Sequence, residues 1–594
     1  MRGCFLLAGL ASLALLCLGA PSEPPTFARD IAPIIYQNCV TCHHPGGVGP
    51  FPLLTYQEVK KHGAQIAAVT ASRYMPPWKA QAGYGEFQDE RRLSDEQIRS
   101  IAKWVQAGAP EGADVPPAPK FTDGWQLGKP DVVLEASHAF TVPASGPDVF
   151  WNFIFKPDLK STRYVRALEI RPNGSAGARN VHHANLIIDR MGSLIRAKAD
   201  LADGFAGMDL RISENPFDPA SHLLFWKAGT IPKPEPDGMA WRLDPGNILI
   251  LNTHLQPSGK LESVRPQIGL YFTDQAPTRF PLIVELENDD ALDIPPRASR
   301  FPVADDLRMP EDVDVLAIYP HAHYLGKLLE AYATLPDGTR KWLIRIPDWD
   351  PNWQAVYRFQ QPVFLPKGSI ISMRYVYDNS AGNPRNPNHP PERVTAGNQA
   401  TDEMSHLWLQ ILPRGTGDRR RPLQEAVARH RLDKHPDDSA ANLNLGAVLM
   451  SRLDMQGAVT ALNKAVALDP KRPEAHDMLG SSLQSLGFTG EALQQFRLAL
   501  AADPDYINAR YDLAKGLAHE RKFDQAAAEF QRVAQAFPQN ARIQDEYGVL
   551  LAQCGRTSEA AKQFELALQI DPGYDDARKN RDELAKTAGG AKPR

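Results

Sequence analysis

The spacing of apolar residues divides the chain into three parts. Up to about residue 115 and beyond about residue 417, apolar positions recur every three to four residues, which is typical of amphipathic helices. Between about 121 and 413, short apolar or alternating runs such as DVVLEA, NILILNTHL and SIISMRYVYD are separated by turn residues, which predicts antiparallel strands. We therefore predict a multidomain fold: an α-helical domain, two tandem antiparallel β-sandwiches, and an α-helical solenoid.

Changes in composition give the predicted boundaries. The first helical domain spans 26–115, and the proline-rich PPAPK stretch opens a linker at 116–130. The strand pattern divides into a first sandwich at 131–285 and a second at 286–413, and the solenoid follows at 417–594. A chain of 594 residues with 43% hydrophobic residues has enough material for several separate cores.

The charge balance and the first twenty residues limit the possible functions. The 66 basic and 70 acidic residues nearly cancel, so we expect no nucleic-acid partner. The opening MRGCFLLAGLASLALLCLGA has a positive residue, an apolar run and small residues at its end, which predicts a signal peptide at 1–20 and a periplasmic or secreted protein. We expect no membrane span, and no lipid anchor at Cys17, because Leu16 is too large to precede a lipidated cysteine.

The cysteine pattern predicts a haem. Beyond the predicted signal peptide the cysteines are Cys39, Cys42 and Cys554, too few for a disulfide framework. Residues 38 to 50, NCVTCHHPGGVGP, contain C-x-x-C-H, in which two thiols one helical turn apart can bond to a porphyrin while His43 ligates its iron. A zinc half-site is the alternative, but the chain has no second C-x-x-C.

The sixth haem ligand is predicted to be Met75 in RYMPPW, where two prolines would fix the loop, and His44 and His62 are rival ligands. FARDIAPIIYQNC and LSDEQIRSIAKWVQAGAPEG flank these motifs with helical spacing, Ser94 or Asp95 being the expected N-cap. With these motifs, the segment 26–115 resembles a class I cytochrome c domain. The resemblance implies a covalent haem c on Cys39, Cys42 and His43.

A pair of histidines in the strand region suggests a metal site. YPHAHYLGK places His321 and His323 one residue apart, and side chains at i and i+2 of a strand point the same way, so both imidazoles could bind one ion. The alternative is a pair of surface histidines without a metal.

Further candidate ligands lie in three other strand-like segments. NVHHANLIID contains His182 and His183, which point to opposite faces of a regular strand and share a metal only at a bend. ILILNTHL ends with His254 as its penultimate residue, and TDEMSHLWLQIL contains Met404, for which core packing is the default role.

In their order along the chain, these residues resemble the ligands of the copper type II, ascorbate-dependent monooxygenases, the family of peptidylglycine α-hydroxylating and dopamine β-monooxygenases. The stretch FWKAGTIPKPEPDGMAWRLDPGNILILNTHL extends the resemblance, which covers roughly half the chain. The resemblance implies two jelly-roll sandwiches with one copper each. The ligands it implies are His182, His183 and His254 for the first copper and His321, His323 and Met404 for the second.

The resemblance also implies separate roles for the two coppers. The three-histidine site would store and pass an electron, while the catalytic site at His321, His323 and Met404 would bind O2 and take a hydrogen atom from a substrate C–H bond. A thioether ligand favours Cu(I), the oxidation state that reacts with O2. With three protein ligands, a coordination position stays open for oxygen.

Departures from the family pattern lie around the substrate site. The family's arginine, tyrosine and glutamine are replaced by Tyr319, Trp408 and Asn252, and the family's disulfides are impossible here. The copper ligands look retained while the substrate, a small molecule or a peptide, looks changed. His406, two residues beyond Met404, could compete as a ligand or act as an acid/base group.

The last segment has an internal repeat. Pro436, Pro470, Pro504, Pro538 and Pro572 are each 34 residues apart, the tetratricopeptide period. Small residues recur in phase at Gly446, Gly480, Ala514 and Gly548 and at Ala458, Ala492, Ala526 and Ala560. Such arrays bind protein partners, although a purely structural spacer or dimerisation element is an alternative. We expect Cys554 to pack between helices.

These parts together predict an exported copper-dependent monooxygenase-like oxidoreductase that hydroxylates a C–H bond with O2. An external electron donor would reduce the haem, and the haem would reduce the copper at His182, His183 and His254. Two alternatives are a non-catalytic electron-transfer or scaffold protein organised by its repeats, and a different oxidase or reductase that uses the same copper pair.

Overall fold

The computed structural model describes residues 23–121, 124–172, 180–190, 204–208 and 225–589. These residues form two compact units: one from the described residues up to Lys79 and between Asp89 and Gly124, and the other from Ala80–Gln88 and the described residues from Trp125 onward. The predicted signal peptide lies outside the described residues. No helix in the described ranges is both long and apolar enough to cross a bilayer.

The first unit is helical. A π-helical turn at Phe27–Ile31 leads into α1 (Ala32–Asn38), α2 (Tyr56–Lys61), α3 (Gly63–Ala71) and α4 (Asp95–Gln106). Ser94 is the N-cap of α4 and forms a capping box with Gln97, which confirms the first of the two expected caps. The core packs Phe27, Ile35 and Trp104 together, and the Trp104 indole donates to Pro110 O at 2.9 Å.

Twenty strands follow in the described part of the second unit. The first ten are β1 (Val132–Glu135), β2 (Phe140–Val142), β3 (Val149–Phe155), β4 (Arg163–Arg171), β5 (Val181–Asp189), β6 (Phe205–Ala206), β7 (Trp241–Leu243), β8 (Ile248–Leu255), β9 (Glu262–Val264) and β10 (Gln267–Thr273). The other ten are β11 (Leu282–Glu287), β12 (Asp293–Ile294), β13 (Phe301–Arg308), β14 (Val313–His321), β15 (Gly326–Thr334), β16 (Arg340–Ile346), β17 (Tyr357–Leu365), β18 (Ile370–Tyr377), β19 (Val394–Thr395) and β20 (His406–Pro413).

The strands form two similar halves, each with two antiparallel four-stranded sheets. The first half has sheets in the order β1-β10-β4-β7 and β5-β8-β3-β6, and the second half has β11-β20-β14-β17 and β13-β18-β15-β16. Phe153 and Leu251 of one sheet share a core with Val165, Leu243 and Leu270 of the other. These sheets confirm the predicted β-rich region. Each half has two sheets because the apolar face of one sheet needs a second layer to cover it.

Strand β11 crosses the predicted boundary at 285/286. β11 begins at Leu282 and pairs along its length with β20, from Leu282 opposite Ile411 to Glu287 opposite His406. The boundary prediction used composition, whereas the pairing of β11 with the last strand is a long-range contact.

Residues 80–88 also depart from the prediction, which placed them in the N-terminal domain. Phe87 forms a β-bridge with Phe359 and is 1% exposed, and the amides of Gln81 and Gln88 donate to the carbonyls of Arg345 and Arg358 at 2.8 Å each. This stretch belongs with the second sandwich because both of its aromatic rings pack there, Tyr84 on Trp342 and the buried Phe87 on Phe359.

The C-terminal array consists of ten helices within the described residues. They are α5 (Arg420–Lys434), α6 (Ser439–Ser451), α7 (Met455–Leu468), α8 (Pro473–Ser485), α9 (Thr489–Ala502), α10 (Ile507–His519), α11 (Phe523–Ala536), α12 (Ala541–Gln553), α13 (Thr557–Ile570) and α14 (Asp575–Gly589). Small residues allow the helices of a pair to touch: an added Cβ at Gly480 would lie 2.6 Å from Phe496 Cε1, and one at Gly548 would lie 2.6 Å from Phe564 Cε1. Cys554 is the C-cap of α12 and is half-buried against the array core.

The in-phase prolines supply acceptors for a bond that repeats along the array. The carbonyl oxygens of four of the five contact a polar side chain six residues later, and these pairs are Asn442 with Pro436, His476 with Pro470, Arg510 with Pro504, and Arg578 with Pro572. Proline ends the preceding helix, and its carbonyl anchors the next one.

A buried ionic cluster fastens α5 to the second sandwich. Asp305 of β13 lies 3.0 Å from both His430 Nε2 and Lys434 Nζ. Glu287 of β11 lies 3.2 Å from Lys434 Nζ and 3.0 Å from His435 Nε2. Burial would raise the pKa values of Asp305 and Glu287, but the hydrogen bonds and charges around them prevail and hold both pKa values below the ordinary range.

Gly480→Ala should destabilise the array by about 1 to 3 kcal/mol, because the added methyl overpacks against Phe496. Gly490→Ala is the control: Gly490 lies in α9 with nothing within 4 Å of an added Cβ, so its stability should be unchanged or up to about 1 kcal/mol higher. Urea unfolding followed by far-ultraviolet circular dichroism measures both. Equal effects of the two substitutions would contradict the close helix approach.

Asp305→Asn should cost about 1 to 3 kcal/mol of stability at pH 7, because buried donors lose a charged acceptor. The folded-state pKa of Asp305 lies below its ordinary value, so its stabilising effect is present above that ordinary value, about 4, and is lost as the pH falls further. Urea midpoints at pH 7 and pH 3 should therefore differ less in Asp305→Asn than in the unmodified protein. The exposed Asp437 provides the control, since Asp437→Asn should leave both midpoints unchanged.

Candidate metal centres

Three histidines of the first sandwich converge. One ligand atom from each of His182, His183 and His254 lies within 4.8 Å of the others. The ring centroids of His183 and His254 are 4.7 Å apart, and those of His182 and His254 are 5.1 Å apart. Among the described residues, this group has the donors and the separations that one tetrahedral or trigonal metal ion needs.

A β-bulge solves the problem posed by adjacent histidines. β5 pairs with β8 so that Val181 lies opposite Leu255 and His183 lies opposite His254, with a register shift between them. His182 is the extra residue, and a bulge turns an extra side chain away from strict alternation. The strand is therefore bent at His182, as it must be for His182 and His183 to bind the same metal ion.

The surroundings orient these rings and keep two of them neutral. Asp148 Oδ2 lies 2.7 Å from His254 Nε2, which leaves His254 Nδ1 to face His182 Nδ1 at 3.4 Å. Burial lowers the pKa of His182 to about 3 and places that of His183 well below its ordinary value. Neutral imidazole is the form that binds a metal.

His321 and His323 lie in the second sandwich with ring centroids 5.3 Å apart. The predicted strand is only partly correct, because β14 ends at His321 and His323 lies just beyond it. Their proximity therefore depends on the loop after the strand as well as on strand alternation.

Glu403, which sequence reasoning missed, holds that loop against the Met404 segment. Its carboxyl oxygens accept the backbone amides of His323 at 2.7 Å, Leu325 at 2.6 Å and Met404 at 3.1 Å. Burial raises the pKa of Glu403 to about 8, although the amide bonds lower it. The carboxyl thus places the backbones of His323 and Met404 side by side, and Met404 O also accepts the Tyr377 hydroxyl at 2.7 Å.

Gly326 of the LGK motif allows a tryptophan to close the same loop. An added Cβ at Gly326 would lie 2.6 Å from Trp349 Cδ1. The Trp349 indole donates to Ala322 O at 3.1 Å and His323 O at 3.2 Å. The glycine is therefore needed for close approach and not for a special backbone angle.

Gln354, also missed, lies between the two histidine groups. Its Oε1 accepts the Tyr319 hydroxyl at 2.6 Å and lies 2.7 Å from His321 Nδ1. Its Nε2 lies 3.2 Å from His183 Nδ1. One buried amide thus contacts a candidate ligand of each site.

Tyr319 is a packing residue in the structure. It is fully buried and stacks on Phe225 at 4.3 Å and on Trp408 at 5.4 Å between ring centroids. Phe225 also contacts the ring of His183 at 4.5 Å. Two of the three positions that depart from the family pattern therefore stack on each other beside the histidines.

His406 has a different environment from the candidate ligands. Its Nε2 lies 2.8 Å from Asp289 Oδ2 and its Nδ1 lies 2.9 Å from Glu285 Oε1. Burial alone would lower the pKa of His406, but the two carboxylates raise it to about 10. An imidazolium has no lone pair for a metal, so these contacts argue against His406 as a competing ligand.

In the first unit, the C-x-x-C-H residues form a tight turn after α1. The amides of Cys42 and His43 donate to Cys39 O at 3.2 and 3.0 Å. His43 Nδ1 lies 2.9 Å from Phe51 O, which leaves Nε2 for a ligand. An added Cβ at Gly49 would lie 2.7 Å from His43 Nδ1, so the glycine-rich loop packs directly on this ring.

The rival sixth ligands differ in their contacts. His44 Nδ1 lies 2.8 Å from Val40 O and its ring stacks on Phe121, while His62 stacks on Phe51 at 3.7 Å. Met75 is half-buried and its amide donates to Val69 O at 3.1 Å. Met75 therefore stays the predicted sixth ligand, with His44 and His62 as its rivals.

The C-terminal array is similar to known repeat proteins. A tetratricopeptide repeat family model matches residues 420–473, 478–541 and 511–575. The type IV pilus assembly protein PilF of Pseudomonas aeruginosa is 25% identical over 145 residues, which is 23% of this chain and 56% of PilF, so the chain spans little more than half of that relative.

Solved structures show a similar range of identity. YrrB, described as a TPR protein with an unusual peptide-binding site, is 22% identical with a TM-score of 0.27, over 28% of this chain and 87% of YrrB. MamA is 24% identical with a TM-score of 0.24, over 25% of this chain and 86% of MamA. From the family match and the 34-residue period, the C-terminal part of the chain is a tetratricopeptide repeat array.

Proposed function

We propose that this chain is an exported, copper-dependent monooxygenase-like oxidoreductase that hydroxylates a C–H bond of its substrate with O2. The observation that supports this most is the convergence of His182, His183 and His254, whose ligand atoms lie within 4.8 Å of one another. Two jelly-roll sandwiches and a covalent haem c complete the proposal.

The donors fit copper at both sites. Three half-buried imidazoles suit an ion that changes between Cu(II) and Cu(I) with little rearrangement, and His254 is fixed by Asp148. At the second site His321, His323 and Met404 would hold the ion, with Met404 as the soft ligand. Copper bound there would supply the redox chemistry with O2.

The chain's own residues prepare the second site. Glu403 fixes the His323 and Met404 backbones, and Gln354 orients His321 through Nδ1. The stacked rings of Phe225, Tyr319 and Trp408 exclude water from one side of His321. Because Tyr319 replaces a substrate-binding arginine of the family, the proposal does not include peptide amidation, and the substrate is a small molecule or a peptide of another kind.

The N-terminal unit fits a c-type haem held by Cys39, Cys42 and His43. The Phe51 carbonyl orients His43 so that Nε2 is available for iron, and Met75 is the proposed sixth ligand. This haem would accept electrons from an external donor, which would take the place of ascorbate.

A second candidate function is a non-catalytic electron-transfer or scaffold protein. The observation that favours it is the tetratricopeptide array, which indicates a protein partner. Copper binding without oxygen uptake would favour this function over hydroxylation.

The haem-loaded full chain should bind two copper ions. His254→Ala should remove one ion and Met404→Ile should weaken only the other, because each substitution deletes one ligand of one site. Competition against a Cu(I) chelator gives stoichiometry and affinity, and electron paramagnetic resonance of the Cu(II) form distinguishes the sites. His519→Ala, an exposed histidine of α10, is the control; binding that is equal in the unmodified protein and in His254→Ala would refute the first site.

Glu403→Gln should weaken copper at the second site by about 10- to 100-fold, as is usual when a group that orients a ligand is lost. Glutamine has one acceptor oxygen where Glu403 uses two to bind three amides. The first site should keep its affinity. The exposed Glu392 gives the matched control, Glu392→Gln, and an unchanged second-site affinity in Glu403→Gln would show that the loop needs no carboxyl.

A further inference from the structure

A carboxyl group in the repeat array has a polar atom without a partner. Asp477 of α8 is 8% exposed, and its Oδ1 has no hydrogen-bond partner among the described residues. Burial, together with the charges of Asp512 and Glu474, raises the pKa of Asp477 well above its ordinary value. A buried polar atom left unpaired is unfavourable, so this position suits a donor that comes from outside the array.

Asp477 faces the seam between the first helices of successive repeats. Ser481, one turn after Asp477 on the same face of α8, donates to Asp512 Oδ2 of α10 at 3.0 Å. The Tyr511 hydroxyl of α10 donates to Glu546 of α12 at 2.7 Å. Side-chain bonds thus connect α8 with α10 and α10 with α12 along one seam.

The seam continues to the last helix and stays acidic. Asn580 of α14 donates to Asp545 of α12 at 2.9 Å. Burial raises the pKa values of Asp512 and Asp545. The acidic residues of this seam, called the acidic seam below, are Glu474, Asp477, Asp512, Asp545, Glu546 and Asp576.

Basic groups lie beside four of these six carboxyl groups, including Arg472 at 3.9 Å from Glu474 and Lys579 at 3.7 Å from Asp576. In the described part of the chain, no cation acts on the other two, Asp477 and Asp545. Arg542 lies 3.4 Å from Glu546, and Lys515 acts on Asp512 while its ammonium lies 5.1 Å from the Tyr511 ring. In the described part of the chain, three or more ligand atoms lie within 4.8 Å of one another only in the group of His182, His183 and His254, so the acidic side chains do not form a metal-binding group. Carboxyl groups spread over several helices suit several separate cations better than one ion.

We propose that the acidic seam binds a lysine- or arginine-containing segment of a partner protein, with one cationic side chain seated at Asp477 between α8 and α10. The cation would donate to Asp477 Oδ1, and further basic side chains would lie along Asp512, Asp545 and Glu546. This inference rests on the proposed partner-binding role of the array and is independent of copper.

Fluorescence anisotropy of the full chain with a labelled hexalysine amide tests the proposal, with labelled hexaglutamate for comparison. Hexalysine should bind more tightly than hexaglutamate, and Asp477→Asn should weaken it at least about tenfold, since a bound cation would favour the ionised carboxyl group of Asp477 and asparagine cannot ionise. Asp505→Asn, which removes the same charge from an exposed position before α10, should change the affinity less than about twofold because exposed charges contribute little.

Equal losses of hexalysine affinity in Asp477→Asn and Asp505→Asn would overturn the proposal, since they would show diffuse charge attraction without a specific binding position at Asp477. Tighter binding of hexaglutamate, or no binding of hexalysine, would overturn it as well. Asp512→Asn provides a second variant if circular dichroism shows that Asp477→Asn does not fold, and it should also weaken hexalysine. Copper stoichiometry measured on the same samples should stay unchanged, so failure of this inference is separable from failure of the oxidoreductase proposal.

Discussion

The candidate metal chemistry depends on one departure from regular β-structure. Strand geometry sends neighbouring side chains to opposite faces, so His182 and His183 could not both reach His254 across a regular ladder. The register shift between Val181 and His183 removes this restriction while the pairing of β5 with β8 continues on both sides. The three histidines therefore converge only because one residue of β5 is left out of the pairing.

The second candidate site depends on groups that are distant in sequence. Glu403 binds the amides of residues eighty positions earlier, and Gln354 contacts both His321 and His183. These contacts replace what regular secondary structure does not supply, since β14 ends at His321. In this arrangement the buried carboxyl, the amide and the stacked rings determine how the two histidine groups lie, and the strands only bring them near.

Local patterns in the sequence predict a large part of the fold. The 34-residue period locates the array, an N-cap at Ser94 or Asp95 identifies the start of α4, and alternation identifies the strand region, because each depends on a pattern in the sequence itself. The pairing of β11 with β20 and the position of Phe87 have no local signal in the sequence, because they are set by distant partners. The ligand atoms of His182, His183 and His254 lie within 4.8 Å of one another, and copper at this group stays a prediction. Glu403 and Gln354 have no local signature, although an acidic residue beside Met404 was visible in the DEM segment.

The ionic cluster under α5 has a mechanical consequence. Lys434 contacts Glu287 and Asp305, and Glu287 is the register partner of His406, two residues from Met404. Salt bridges thus attach the helical array to β11 and β13 of the second sandwich, which also carries His321 and His323. A protein bound to the array would therefore have a fixed orientation relative to the sandwiches, in addition to being held close to them.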